Sequence, residues 1–215
     1  MKVVHVQRNA VFLLAILVAS VCAFGQAKAD PWLILPSGKT GLINAHTTRA
    51  DLARTYGEAN VVDQDVDTGE GEMVPGTVVF PKDPHRAIKI LWQDWPKMTL
   101  PASAQIEGNS SRWHAAHGIS LGTSLSELQR LNGRPFPISG YGTDQPGAIL
   151  SWRDGSLEKD LQGSGHVILR LNCTPRKGVP SPDLSLIEED SDDRKLQGLG
   201  LQVGEINWVF PTSLR

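Results

Sequence analysis

The chain has 215 residues, 40% hydrophobic and 20% charged, proportions that exclude a disordered or fibrous protein and fit a folded one. Its formal charge of −2 offers no basic excess to neutralise a phosphate backbone, which argues against nucleic acid as a partner. The length holds one or two domains.

Residues 1–29 have the layout of an export signal. Lys2 and Arg8 supply a basic start, and Ala10 to Phe24 is an uncharged, mostly apolar run. That run is shorter than the ~20 apolar residues that span a bilayer. Ala27-Lys28-Ala29 follows as a small-x-small cleavage pattern, which predicts a cut before Asp30, with cuts after Ala23 or Gly25 as alternatives. Val21 is a poor residue before a lipidated cysteine, so Cys22 does not read as a lipid anchor. The expected destination is the periplasm or the exterior, as a protein with no membrane span after cleavage. Cleavage removes Lys2, Arg8 and Lys28 and no acid, which leaves the remainder more acidic. It also removes Cys22, so Cys173 has no intrachain disulfide partner and reads as a small buried hydrophobe.

Internal similarity is the most informative pattern beyond the signal. Residues 43–57 and 119–133 align at an offset of 76, with Ile43/Ile119, Thr47/Thr123, Leu52/Leu128, Arg54/Arg130 and Gly57/Gly133 identical. Thr48-x-x-Asp51 and Ser124-x-x-Glu127 are helix starts of the capping-box type, the second with the longer and better-suited acid. Gly57 and Gly133 close each helix after about two turns. Leu125, Leu128 and Leu131 form one apolar stripe.

β-rich runs follow each helix. Pro75 to Phe80 corresponds to Pro146 to Trp152, Arg86 to Gln93 to His166–Asn172, and Ala104 to Trp113 to Leu201–Phe210. The connections lack helices long enough for parallel crossovers, so the strands are expected to be antiparallel. The resulting expectation is an α+β fold of two tandem repeats, each a short helix followed by about three antiparallel strands, over 30–115 and 116–215. Residues 174–198, with three prolines and the acids Glu188 to Asp193, are predicted to form a solvated loop in the second repeat.

The segment Gly122-Thr123-Ser124-x-x-Glu127-Leu128-x-x-Leu131-Asn132-Gly133-Arg134-Pro135 resembles the helix signature of the SmpA/OmlA (BamE-like) envelope proteins. Asn132 stands where that signature has its final Leu. The β-lactamase-inhibitor-protein fold repeats a related unit in tandem. The resemblance spans about 15 residues per copy and departs further in the first, where Ala45-His46 and Glu58-Ala59 replace the flanking positions. It implies a helical layer on an antiparallel sheet and, by analogy, a role in binding another envelope or secreted protein.

Chemistry is sparse. Asp63-x-Asp65-x-Asp67 opens like an EF-hand loop, with Glu70 and Glu72 as further oxygen donors, and marks 63–72 as a candidate Ca²⁺ loop. Gly69 stands one place late, however, and Val74 replaces the bidentate Glu. His114-x-x-His117 offers two imidazoles without the further ligands zinc requires. Ser164 and His166 sit too close in sequence for a hydrolase pair, and Gly163-Ser164-Gly165 reads as a hairpin turn. Six tryptophans suit core packing, and exposure of Trp95, Trp113 and Trp208 is what a carbohydrate-binding surface requires. The leading functional expectation is an exported, non-catalytic protein-binding module. A metal-dependent hydrolase built on Asp63–Glu72 and a carbohydrate binder are the alternatives.

Overall fold

The computed structural model describes residues 30–35, 42–68, 72–173 and 188–212. The export segment 1–29, Glu70 and residues 174–187 lie outside them.

Helix α1 (Arg49–Tyr56) starts on Thr48, whose side chain accepts from the Asp51 amide while the Asp51 carboxylate accepts from the Thr48 amide. Helix α2 (Leu125–Asn132) starts on Ser124, which accepts from the Glu127 amide. The expectation that the second box is the more complete one is reversed. Glu127 turns away to form a fork with Arg130 at 2.7 and 2.5 Å, leaving Ser124 as a one-sided cap. Gly133 closes α2 in the left-handed conformation at φ 75°, which a side chain would oppose.

Between the helices run β1 (Val61–Asp67), β2 (Met73–Val79), β3 (Ile88–Asp94) and β4 (Thr99–Glu107). After α2 come β5 (Pro137–Ser139), α3 (Ser156–Leu161), β6 (His166–Cys173), β7 (Glu188–Asp190), α4 (Arg194–Gln197) and β8 (Leu201–Val209). The fold is α+β, with six strands in one antiparallel sheet of order β1-β2-β3-β4-β8-β6 and a short β5-β7 ladder beside it. The two ladders connect through single bridges, Ala148 to Arg170 and Ile149 to Ile138.

Several expectations change. Residues 61–67 form a strand rather than part of an acidic loop. The last strand of the first half begins at Thr99 and ends at Glu107, not at Trp113. Residues 146–152 form only those bridges, and α3 is a helix that the expected pattern of one helix and three strands did not include. The described end of the expected loop 174–198 is also ordered. Ser191 is fully buried, its hydroxyl accepts from the Phe136 amide, and its amide donates to the Phe136 carbonyl. That clasp draws Glu188–Asp190 against β5, while Leu196 of α4 enters the core.

Register separates the sheet's two faces. One row crosses all six strands as Asp63, Thr77, Ile90, Ala104, Trp208 and Val167. It is apolar except at its β1 end, and its apolar members belong to the core cluster that also holds Leu52, Leu128, Leu157 and Leu196 from α1, α2, α3 and α4. The helices therefore cover this face. Trp113, Trp152 and Trp208 are sealed inside, each at 1% exposure or less, and supply much of the buried apolar area. At the start of the described chain, Asp30–Ile34 docks onto the body. Leu33 bridges His114 in parallel, Trp32 packs edge-on to Trp113, and Trp208 Nε1 donates to the Ile34 carbonyl.

Candidate functional site

The adjoining rows on the opposite face read Val62, Val78, Lys89, Gln105, Asn207, Ile168 and then Gln64, Gly76, Leu91, Ser103, Val209, His166. Val78, Ser103 and Gln105 are buried within these rows, while Lys89, Leu91, Asn207, Ile168 and Val209 are half-buried. The face mixes branched apolar groups with amides, and its charges are paired in place. Lys89 meets Glu107 at 2.7 Å, and Arg170 stands 3.8 Å from Glu205. Burial raises the Glu205 carboxyl above its ordinary range, against the lowering pull of Arg170 and of a hydrogen bond from Gln105.

At the β1 edge, the core-facing row ends in a polar chain. Trp92 Nε1 donates to Thr77 Oγ1 at 2.9 Å, and Thr77, itself fully buried, donates to Asp63 at 2.8 Å. Asp63 also accepts from Arg49 Nε at 3.1 Å, while Arg49 Nη1 reaches Glu58 at 2.5 Å and Nη2 donates to the Val61 carbonyl at 3.2 Å. Arg49 opens α1, so one guanidinium fastens the helix to the first strand. The two carboxylates raise the affinity of Arg49 for its proton, Glu58 most. Asp63 thus supplies the acceptor that burying the Thr77 hydroxyl requires, and Arg49 neutralises Asp63.

This arrangement redistributes the expected cation ligands. Asp63, Asp65 and Asp67 do share one face, but on a strand, where alternate residues lie roughly 6.5–7 Å apart along the chain. A Ca²⁺ ion gathers its oxygens at about 2.3–2.6 Å, which suits a folded loop rather than an extended one. Asp63 is engaged by Arg49 and Thr77, Asp65 and Glu72 are exposed, and Glu70 is not described. Among the described residues, no three His, Cys, Asp or Glu side chains converge as a metal set.

The histidines are also separated. His114 Nε2 meets Asp30 at 3.0 Å, and His117 Nε2 meets Asp160 at 2.6 Å, each ring with its own carboxylate. Ser164 and His166 lie at a hairpin closed by a Gln162–His166 bridge. Cys173 is half-buried, and its thiol donates to the Leu199 carbonyl at 3.2 Å. Of the three tryptophans a sugar surface needs, Trp113 and Trp208 are buried, and Trp95 is 46% exposed.

Sequence reasoning missed Arg49 and Thr77 as partners of Asp63, and Trp92 as the donor to Thr77. The signal available was the period-2 placement of valines and aspartates over 61–67, which fits a half-buried strand as well as a metal loop. No protein-family model, curated protein or solved structure matches the chain.

Proposed function

We propose that the chain is an exported, non-catalytic protein-binding module of the cell envelope, built from two helix-plus-sheet units in tandem. The tandem reading is supported by hydrogen bonds that recur at the same offset of 76 as the sequence identities. Asn44 N donates to Thr47 Oγ1 at 2.8 Å, and Ser120 N to Thr123 Oγ1 at 3.1 Å. Thr48 bridges the first residue of β4, and Ser124 bridges the second residue of β8. The Gly57 and Gly133 amides each return to the carbonyl four residues back at 2.9 Å. In this reading β4 and β8 are the last strands of the two units, and their pairing joins the halves into one sheet.

Export is supported by the Lys2/Arg8 start, the apolar run and the Ala27-Lys28-Ala29 pattern. A cut before Asp30 also leaves a new end already tied down, because Asp30 accepts from the Trp32 amide and meets His114.

The observation that carries the binding role is the second sheet face. Its half-buried members Leu91, Ile168 and Val209 stand beside Asn207 and the paired Lys89, the mixture of apolar and polar groups found at protein–protein interfaces. Paired signs do not suit a polyanion, and buried Trp113 and Trp208 cannot stack on sugars, so the occupant this face fits is a folded protein. Photo-crosslinking side chains placed at Leu91 and Val209 of the exported protein should both yield an adduct of one mass. A control at Ser156 on α3, across the molecule, should not. Absence of an adduct at both face positions, or the same adduct from Ser156, would overturn the reading.

A further inference from the structure

The β1 edge has a chemistry of its own. The β1–β2 ladder is bounded by Phe80 N donating to the Asn60 carbonyl at 2.7 Å and Thr68 N to the Glu72 carbonyl at 3.0 Å. In an antiparallel pair, hydrogen-bonded positions alternate, so the even residues of 60–68 turn their main-chain groups toward β2. The odd residues, Val61, Asp63, Asp65 and Asp67, turn theirs away from the sheet. Arg49 bonding to the Val61 carbonyl from outside agrees with this phase. Pro75 opposite Asp65 agrees as well, because a non-bonded pair needs no amide hydrogen from proline. From Asp63 to Asp65 the edge therefore presents donors and acceptors that no described strand takes up.

The residues that turn their main chain outward are the same ones that carry carboxylates on one face. Asp65 is exposed and makes no hydrogen bond or ion pair with a described residue. We propose that this edge accepts an extended segment of a partner protein as an added strand, with a basic side chain set against Asp65. Main-chain hydrogen bonds hold the segment, and the Asp65 carboxylate selects its charge. A second copy of this chain is a poor occupant, because edge-to-edge pairing sets aspartates against aspartates. An added strand would also lengthen the two rows of the second face by one position each. The proposal thus rests on the protein-binding reading and names the chemistry of the partner.

The test uses the mature chain and labelled ten-residue peptides, read by fluorescence anisotropy at low salt. A peptide alternating Lys with Val or Thr is expected to bind. The same peptide N-methylated on alternate amides, and one alternating Glu with Val or Thr, are each expected to bind at least about tenfold more weakly. Asp65→Lys should weaken the Lys peptide by about tenfold and Asp65→Asn by less, with melting curves of both variants confirming that this exposed position leaves the fold intact. No binding of the Lys peptide, or equal binding of its N-methylated form, overturns strand addition. Self-association of the chain through this edge, seen by light scattering and lost in Asp65→Lys, would overturn the choice of partner. Because the cross-linking positions lie on the sheet face, an intact adduct in Asp65→Lys alongside a failed peptide assay would sink this inference and leave the binding-module reading standing.

Discussion

Asn132 and Tyr56 occupy equivalent places at the ends of α2 and α1, and both are polar groups taken into the interior. Asn132 is satisfied. Its amide donates to the carbonyls of Arg134 and Trp152, and its oxygen accepts from the Leu157 amide, which ties α2 to the start of α3. Leu at this position would leave two buried main-chain groups, the Trp152 carbonyl and the Leu157 amide, without their partner. Asn132→Leu should therefore cost roughly 2–6 kcal/mol, at about 1–3 for each of the two buried groups, read as a fall in melting temperature. The Tyr56 hydroxyl has no partner among the described residues, and burial pushes its ionisation far up. Its ring packs edge-on against Phe80 and Trp113 at 5.5 and 5.9 Å, so the hydrocarbon is what the site uses. Tyr56→Phe keeps those contacts and removes the orphan, and should raise stability by about 1 kcal/mol. A lower melting temperature in Tyr56→Phe would show that the hydroxyl is satisfied after all.

At the scale of elements, two helices of equal length start on caps of unequal completeness. Thr48 and Asp51 bond reciprocally, and the Thr48 hydroxyl together with its amide draws the Asp51 carboxyl below its usual range. Ser124 works alone because Arg130 has claimed Glu127. Thr48→Ala should cost about 1–2 kcal/mol and Ser124→Ala about 0.5–1, within the span measured for such caps. Chemical denaturation of the two variants in parallel checks the order, and equal losses would mean that Asp51 contributes nothing through its side chain. The Asp51 contribution is present above the ordinary carboxylate range. It is lost as pH falls through the depressed native value, so the two variants should converge in strong acid.

For the whole molecule, β1–β4 join β8 and β6 where β4 meets β8, and at that seam Glu205 stands opposite Glu107. The Glu205 carboxyl ionises at higher pH in the fold than in the unfolded chain, chiefly because of burial. Stability from this group is full below its unfolded value and declines as pH rises through the raised native one. Glu205→Gln should therefore match the parent below about pH 4, near the unfolded carboxylate value, and melt higher at neutral pH. A variant less stable than the parent at pH 7 would show that the Arg170 pair outweighs the burial cost. Cation binding is a second whole-molecule measurement. A hundredfold excess of a ligand that binds only the native state adds about 2.7 kcal/mol. With Asp63 held by Arg49 and Thr77, melts in millimolar Ca²⁺ and in EDTA should coincide. A rise with Ca²⁺ that Asp65→Asn and Asp67→Asn abolish would restore the 63–72 cation site.

Local signals in the sequence determined the two helix starts, their glycine stops, and the strands around Ile88–Ile90, Leu169–Leu171 and Leu201–Val209. In each case the information lies within a few residues, as a cap, a left-handed position or a period of two. Tertiary structure decided the rest. Three aspartates in seven residues are poor strand formers, and Val61–Asp67 becomes a strand because β2 pairs with it and Arg49, 14 residues before Asp63, neutralises its inner carboxylate. Glu188–Asp190 is drawn into a ladder by the burial of Ser191 against Phe136, a partner 55 residues away. The fate of the tryptophans was illegible for the same reason. Whether an indole faces a ligand or the core depends on which strands meet, and here β4 meeting β8 sets Trp208 opposite Ala104, a neighbour small enough for the ring to lie inside.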